Sequence, residues 1–194
     1  MAKRHRAISM VAIAALIAAP IAAHAQGLAL KGGFGWGPAP NSGGAYPGEL
    51  SAHNSGSFGL AVTTGGIFGV GVEGLWAERG FNSSEAGASR RLAYVDVPVY
   101  LRITSPTSGI APFGYLGPQV SFEVRCNGGG GNCPDGREKT QYAGVVGAGL
   151  RFGRPGISIE SRYVYGLSDL HLSTITESES YRTRNFLLLA GFGF

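Results

Sequence analysis

Asp169, His171 and Ser173 supply an acid, a base and a nucleophile within five residues. Their spacing of two suits one face of a strand, where side chains project side by side. A catalytic triad needs its three groups to converge, so these residues read as the polar end of a strand passing into a loop, and no catalytic residue is assigned. His53 and His171 are the only histidines beyond residue 25, and neither has acids, cysteines or histidines at a metal-binding spacing. No metal site and no cofactor are expected. Gly128–Gly131 is not followed by the Lys and Ser or Thr that a phosphate-binding loop requires. Cys126 and Cys133 flank Asn-Gly-Gly-Gly-Gly-Asn, a segment flexible enough to let the two close a disulfide. The remaining constellation is ionic. Glu73, Asp96, Arg102, Glu160 and Arg162 come from three separate stretches that are otherwise weakly charged.

What positions these charges is a repeated period of two. Eight stretches alternate in the way a half-buried strand does, and none carries apolar residues at helical spacing. They run over Leu28–Trp36, Ser57–Thr64, Phe68–Phe81, Leu92–Thr104, Pro112–Arg125, Thr140–Phe152, Ile157–Leu170 and Thr183–Phe194. The connections alternate in length. Those over 38–56, 82–91, 126–139 and 171–182 are long and polar, whereas those over 65–67, 105–111 and 153–156 are shorter. This alternation predicts an all-β fold, an eight-stranded antiparallel up-and-down barrel with turns at one end and loops at the other.

The two faces of each stretch differ. Val95, Val97, Val99, Leu101 and Ile103 share one face of the fourth, with Tyr94, Asp96, Pro98, Tyr100 and Arg102 on the other. A soluble barrel would turn its apolar face inward, whereas a transmembrane barrel turns it to lipid. Charged residues make up 14% of the chain, against about a quarter in soluble domains. The polar face is rich in Gly, and Trp36, Trp76, Tyr163, Tyr165 and Phe194 stand near strand ends. These features predict a transmembrane barrel with the five charges pointing inward as one network, Glu73 close to Arg102. Counting outward from the turns also predicts Pro98 opposite residue 117, near Pro118, with weakened pairing where two prolines interrupt the ladder.

The start of the chain has its own pattern. Lys3, Arg4 and Arg6 precede an apolar run over 7–22, which ends at Ala23-His24-Ala25. The run is short for a membrane span and has the form of a signal peptide, 1–25, cleaved to leave a mature domain over 26–194. Export to an oxidising compartment favours the disulfide. The leader holds three of the 16 basic residues and no acid, so 13 bases face 12 acids in the mature part. No basic stripe interleaved with aromatics remains for nucleic acid.

Leu92-Ala-Tyr94-Val-Asp-Val-Pro98-Val-Tyr-Leu101 resembles a strand of the outer-membrane β-barrel domain family often labelled porin-like. Pro112-Phe-Gly-Tyr-Leu-Gly117-Pro118, Gly147-Ala-Gly149 and Glu160-Ser-Arg162-Tyr163-Val-Tyr-Gly166-Leu167 are similar to three further segments of it. The resemblance implies a barrel in the bacterial outer membrane, bounded by lipid and lipopolysaccharide and delivered by the outer-membrane assembly machinery. Phe192 and Phe194 are similar to the aromatic end that this machinery reads. The family has no shared catalytic residues to carry over. A monomeric, non-enzymatic barrel with a structural or surface-recognition role is expected. The alternatives are a narrow channel, a lipid-modifying enzyme and a soluble periplasmic binder.

Overall fold

The computed structural model describes residues 25–37, 50–52, 55–83, 90–107, 109–128, 139–153, 156–167, 170–174, 177–181 and 184–194. All but the last residue of the expected leader lies outside them, as do His53, Cys133 and Asp169. In chain order the strands are β1 (Ala25–Trp36), β2 (Leu50–Ala52), β3 (Ser55–Thr64), β4 (Phe68–Ser83), β5 (Arg90–Thr104) and β6 (Ile110–Gly128). They continue as β7 (Thr140–Phe152), β8 (Ile157–Gly166), β9 (Leu170–Thr174), β10 (Glu177–Tyr181) and β11 (Arg184–Gly193).

Every neighbouring pair is antiparallel. The sheet runs β4-β3-β1-β11-β8-β7-β6-β5, and β5 pairs back onto β4, so eight strands close a barrel and β2 merely continues the β4 edge beyond β3. Closure satisfies the backbone of every strand without an edge, which is the condition for crossing lipid with strands. The β1–β11 seam brings the two ends of the barrel segment together, Leu30 opposite Phe192 and Trp36 opposite Phe186. Phe194 then donates its backbone N–H to the Leu28 carbonyl at 2.8 Å. Both ends therefore lie beside the short turns.

Strands of 16, 15 and 19 residues in β4, β5 and β6 rise well past the ten-residue strands β3, β8 and β11 at the loop end. Two segments expected as loop are strand. Leu50–Ala52 adds to β4, and β9 and β10 form a separate hairpin with His171 opposite Ser180 and Ser173 opposite Ser178. β8, the seventh of the expected stretches, stops at Gly166 instead of Leu170, where the Leu167 N–H turns to the Tyr142 carbonyl.

The outer surface is a belt. Leu30, Leu60, Leu101, Leu116, Val146, Ile159 and Leu188 are all exposed around its middle. Phe68, Phe152, Phe192 and Phe194 ring the turn end, and Phe34, Trp36, Phe58, Tyr142 and Phe186 the loop end. Exposed leucine in water forfeits roughly 25 cal/mol per Å² of burial, and a belt of this extent between two aromatic girdles is what lipid compensates.

Pro98 stands opposite Gln119 and not residue 117, so the expected register is displaced by two. The β5–β6 ladder is nevertheless interrupted between the pairs Pro98–Gln119 and Leu101–Leu116, and the β4–β5 ladder between Val72–Val99 and Leu75–Asp96. The β4–β5 gap contains Pro98 and the β5–β6 gap contains Pro118, and neither proline nitrogen can donate.

Candidate functional site

Glycine and tyrosine on facing strands fill the lumen in pairs. Gly71 lies opposite Tyr100 and Gly147 opposite Tyr115. A methyl group on either glycine would overlap the tyrosine ring facing it. The rings therefore lie flat across bare backbone, with centroids 4.6 Å apart, and their hydroxyls reach the barrel axis. Phe113 covers Gly149 in the same way. Gly71, Gly147 and Gly149 thus admit aromatic rings, leaving correspondingly less room for water.

Those hydroxyls meet a closed ion cluster. Glu73 accepts from Lys31 Nζ at 2.6 Å, Arg162 Nη2 at 2.6 Å and the Tyr100 hydroxyl at 2.7 Å. Glu160 accepts from Lys31 at 2.8 Å, Arg162 at 2.9 Å and the Tyr115 hydroxyl at 3.0 Å. Arg162 Nε donates to the Tyr115 hydroxyl at 2.8 Å. Two acids face two bases, and the four side chains are between 0 and 8% exposed. Buried ions are tolerated when charge and hydrogen bonds both balance, as they do here. Lys31 reaches the cluster because its stem lies along Gly191 of the neighbouring strand.

The structure brings together Glu73, Glu160 and Arg162 from the expected network, and places the other two members elsewhere. Asp96 forms its ion pair with Arg79, nearer the loop end. The Arg79 guanidinium also lies over the Tyr94 ring, 4.7 Å from its centroid, and the Tyr94 hydroxyl accepts from Gln141 at 2.9 Å. Arg102 pairs with no carboxylate among the described residues. Its guanidinium stacks on Phe113, 4.0 Å from the centroid, toward the turn end. The expected Glu73–Arg102 contact is therefore corrected: Gly69, not Glu73, lies beside Arg102, and the flanking pairs set Glu73 opposite Pro98. Tyr100, Tyr115 and Arg79 were not expected as network members, although their parity along β4, β5 and β6 already put them on the inward face.

Three layers result: Arg79 and Asp96 near the loops, the ion cluster at mid-height, and Arg102 above the turns. Cys126 lies in β6 opposite Leu92, and no free cysteine occurs among the described residues. Among those residues no group of three acids, histidines or cysteines could hold a metal ion. Phe192 and Phe194 meet edge to face at 5.2 Å on the lipid side of the closing strand.

The family model described as outer membrane protein beta-barrel domain matches residues 30–172. No curated protein matches by sequence. Among solved structures the chain is similar to the crystal structure of Ail, the attachment invasion locus protein of Yersinia pestis, in complex with the heparin analogue sucrose octasulfate. That likeness has 14% identity and a TM-score of 0.43, covering 87% of this chain and 98% of that one.

Proposed function

The chain belongs to the outer membrane protein β-barrel domain family and resides in the bacterial outer membrane, and from that premise we propose that it is a non-enzymatic recognition barrel acting through its loop end. The observation that carries this reading is the sealed lumen. A neutral, fully hydrogen-bonded ion cluster and two tyrosine rings occupy the cross-section at mid-height, so chemistry directed at the outside falls to the loops and the long strands β4 to β6. Around the outer rim Arg125, Lys139 and Arg184 are exposed, with Glu78 the exposed acid among the described residues there. This balance suits an anionic surface such as lipopolysaccharide or an acidic polysaccharide.

The test uses the full-length barrel in detergent, with lipopolysaccharide and a sulfated polysaccharide as probes. Binding is expected to be saturable, to weaken with salt, and to fall about tenfold when Arg125, Lys139 and Arg184 are all changed to Gln. Unchanged binding in this triple variant would remove the rim from the account. Further proposals complete the picture. The signal peptide 1–25 is cleaved, the mature domain is a monomer, and Phe192 and Phe194 present the assembly signal. Cys126, near the loop end of β6, and Cys133 close a disulfide. Thiol labelling of the unreduced protein should find no free cysteine, and replacing both by Ser should leave the barrel folded, because the bridge lies at the rim. Loss of the folded barrel in that variant would contradict this placement.

A further inference from the structure

Below the ion cluster the barrel opens into a cup at its periplasmic end, a cavity of about 650 Å³. Its wall includes Lys31, Arg102, Arg151 and Glu160, with the hydroxyls of Thr63 and Ser158. The one acidic side chain in this lining, Glu160, already belongs to the neutral cluster with Lys31 and Arg162. Arg102 belongs to no such pair. Its Nε is buried and has no hydrogen-bond partner among the described residues, an arrangement that normally costs free energy. Stacking on Phe113, 4.0 Å from the ring centroid, holds the guanidinium in place. A cationic fork fixed in the wall of a cup that opens to solvent is how proteins take planar or tetrahedral oxyanions.

We propose that this periplasmic cup is a binding site for the phosphate or carboxylate group of a small periplasmic solute, with Arg102 as its anchoring residue. The cavity is within the size range of small-molecule sites, so it admits a solute larger than the bare ion. The site is independent of the recognition surface, which lies beyond the ion cluster at the opposite end of the barrel. Either can fail without the other.

The experiment titrates inorganic phosphate into the isotopically labelled barrel in neutral nanodiscs, with chloride at matched ionic strength as control. Saturable amide shifts should concentrate on Gly66, Thr104 and Ser158, beside the cup. In Arg102→Gln the apparent affinity should fall about tenfold, and Arg102→Lys, which keeps the charge without the fork, should recover only part of it. Shifts centred on Arg125, Lys139 and Arg184, an equal response to chloride, or an unchanged affinity in Arg102→Gln would each overturn the proposal. Where Arg102→Gln does not fold, the distribution of shifts in the unaltered chain decides alone. Nanodiscs containing phosphatidylglycerol separate the sources. Cup shifts that arise with anionic lipid in the absence of phosphate would assign the site to a headgroup and overturn the solute.

Discussion

Replacing Arg162 by Met is expected to destabilise the barrel by about 3–5 kcal/mol, the cost of breaking a buried ion network by removing one partner. Arg162 donates to Glu73, Glu160 and the Tyr115 hydroxyl, and its side chain is 1% exposed. Without it two nearly fully buried carboxylates share Lys31. Replacing Lys31, Glu73, Glu160 and Arg162 together by apolar residues of similar volume should recover most of the loss, since no charge is then left alone. Arg102→Gln should cost far less than Arg162→Met, because no carboxylate loses a partner. Urea unfolding from detergent or lipid, followed by gel mobility with and without heating, measures all three. A loss below about 1 kcal/mol for Arg162→Met would place the cluster in solvent.

The second large effect concerns the tyrosines. Gly71→Ala should cost about 1–3 kcal/mol, because its new methyl meets the Tyr100 ring, which is held by its hydrogen bond to Glu73 and by contact with Tyr115. In a Tyr100→Ala background the same change should cost little, giving a coupling on the order of 1–3 kcal/mol. Gly59 supplies the control. A methyl there runs into the backbone of β4 at Gly74 and Leu75, so Tyr100→Ala should not relieve Gly59→Ala. Additive losses for Gly71 and Tyr100 would show that the ring does not depend on the bare strand beneath it.

The barrel was legible in the sequence because its signal is local. The period of two sorts Val99, Leu101 and Ile103 from Pro98, Tyr100 and Arg102 without any knowledge of neighbours, and the long and short connections then order the strands. Register is not local. It depends on where each connection turns, and a small error in that centre moves the partner by two residues on the same face. Glu73 was expected close to Arg102 and stands opposite Pro98 by its flanking pairs, which leaves Arg102 out of reach and brings Arg162 from the far wall instead.

The same limit explains Arg79 and Asp96. Both face inward by parity, but nothing in the chain says how far β4 and β5 continue past the belt, so their pairing near the loops was hidden. Lys31 completes the cluster as its second base. Its route along Gly191 required knowing that the first and last strands meet. The glycines show the same limit. An inward glycine reads as empty space in one strand, and only the facing strand shows the ring that occupies it.

A sealed lumen is the claim on which the assignment of function to the two ends rests. Single-channel recording in planar lipid bilayers tests it most directly, using the refolded mature chain and, beside it, the chain with Arg162 changed to Met. The unaltered barrel is expected to insert without stable conductance steps, because Glu73, Glu160, Lys31 and Arg162 close the cross-section in one neutral cluster. Steady unit conductance from the unaltered chain, with an ion selectivity that shifts on replacing Arg162, would contradict the account and make the cluster the lining of a pore.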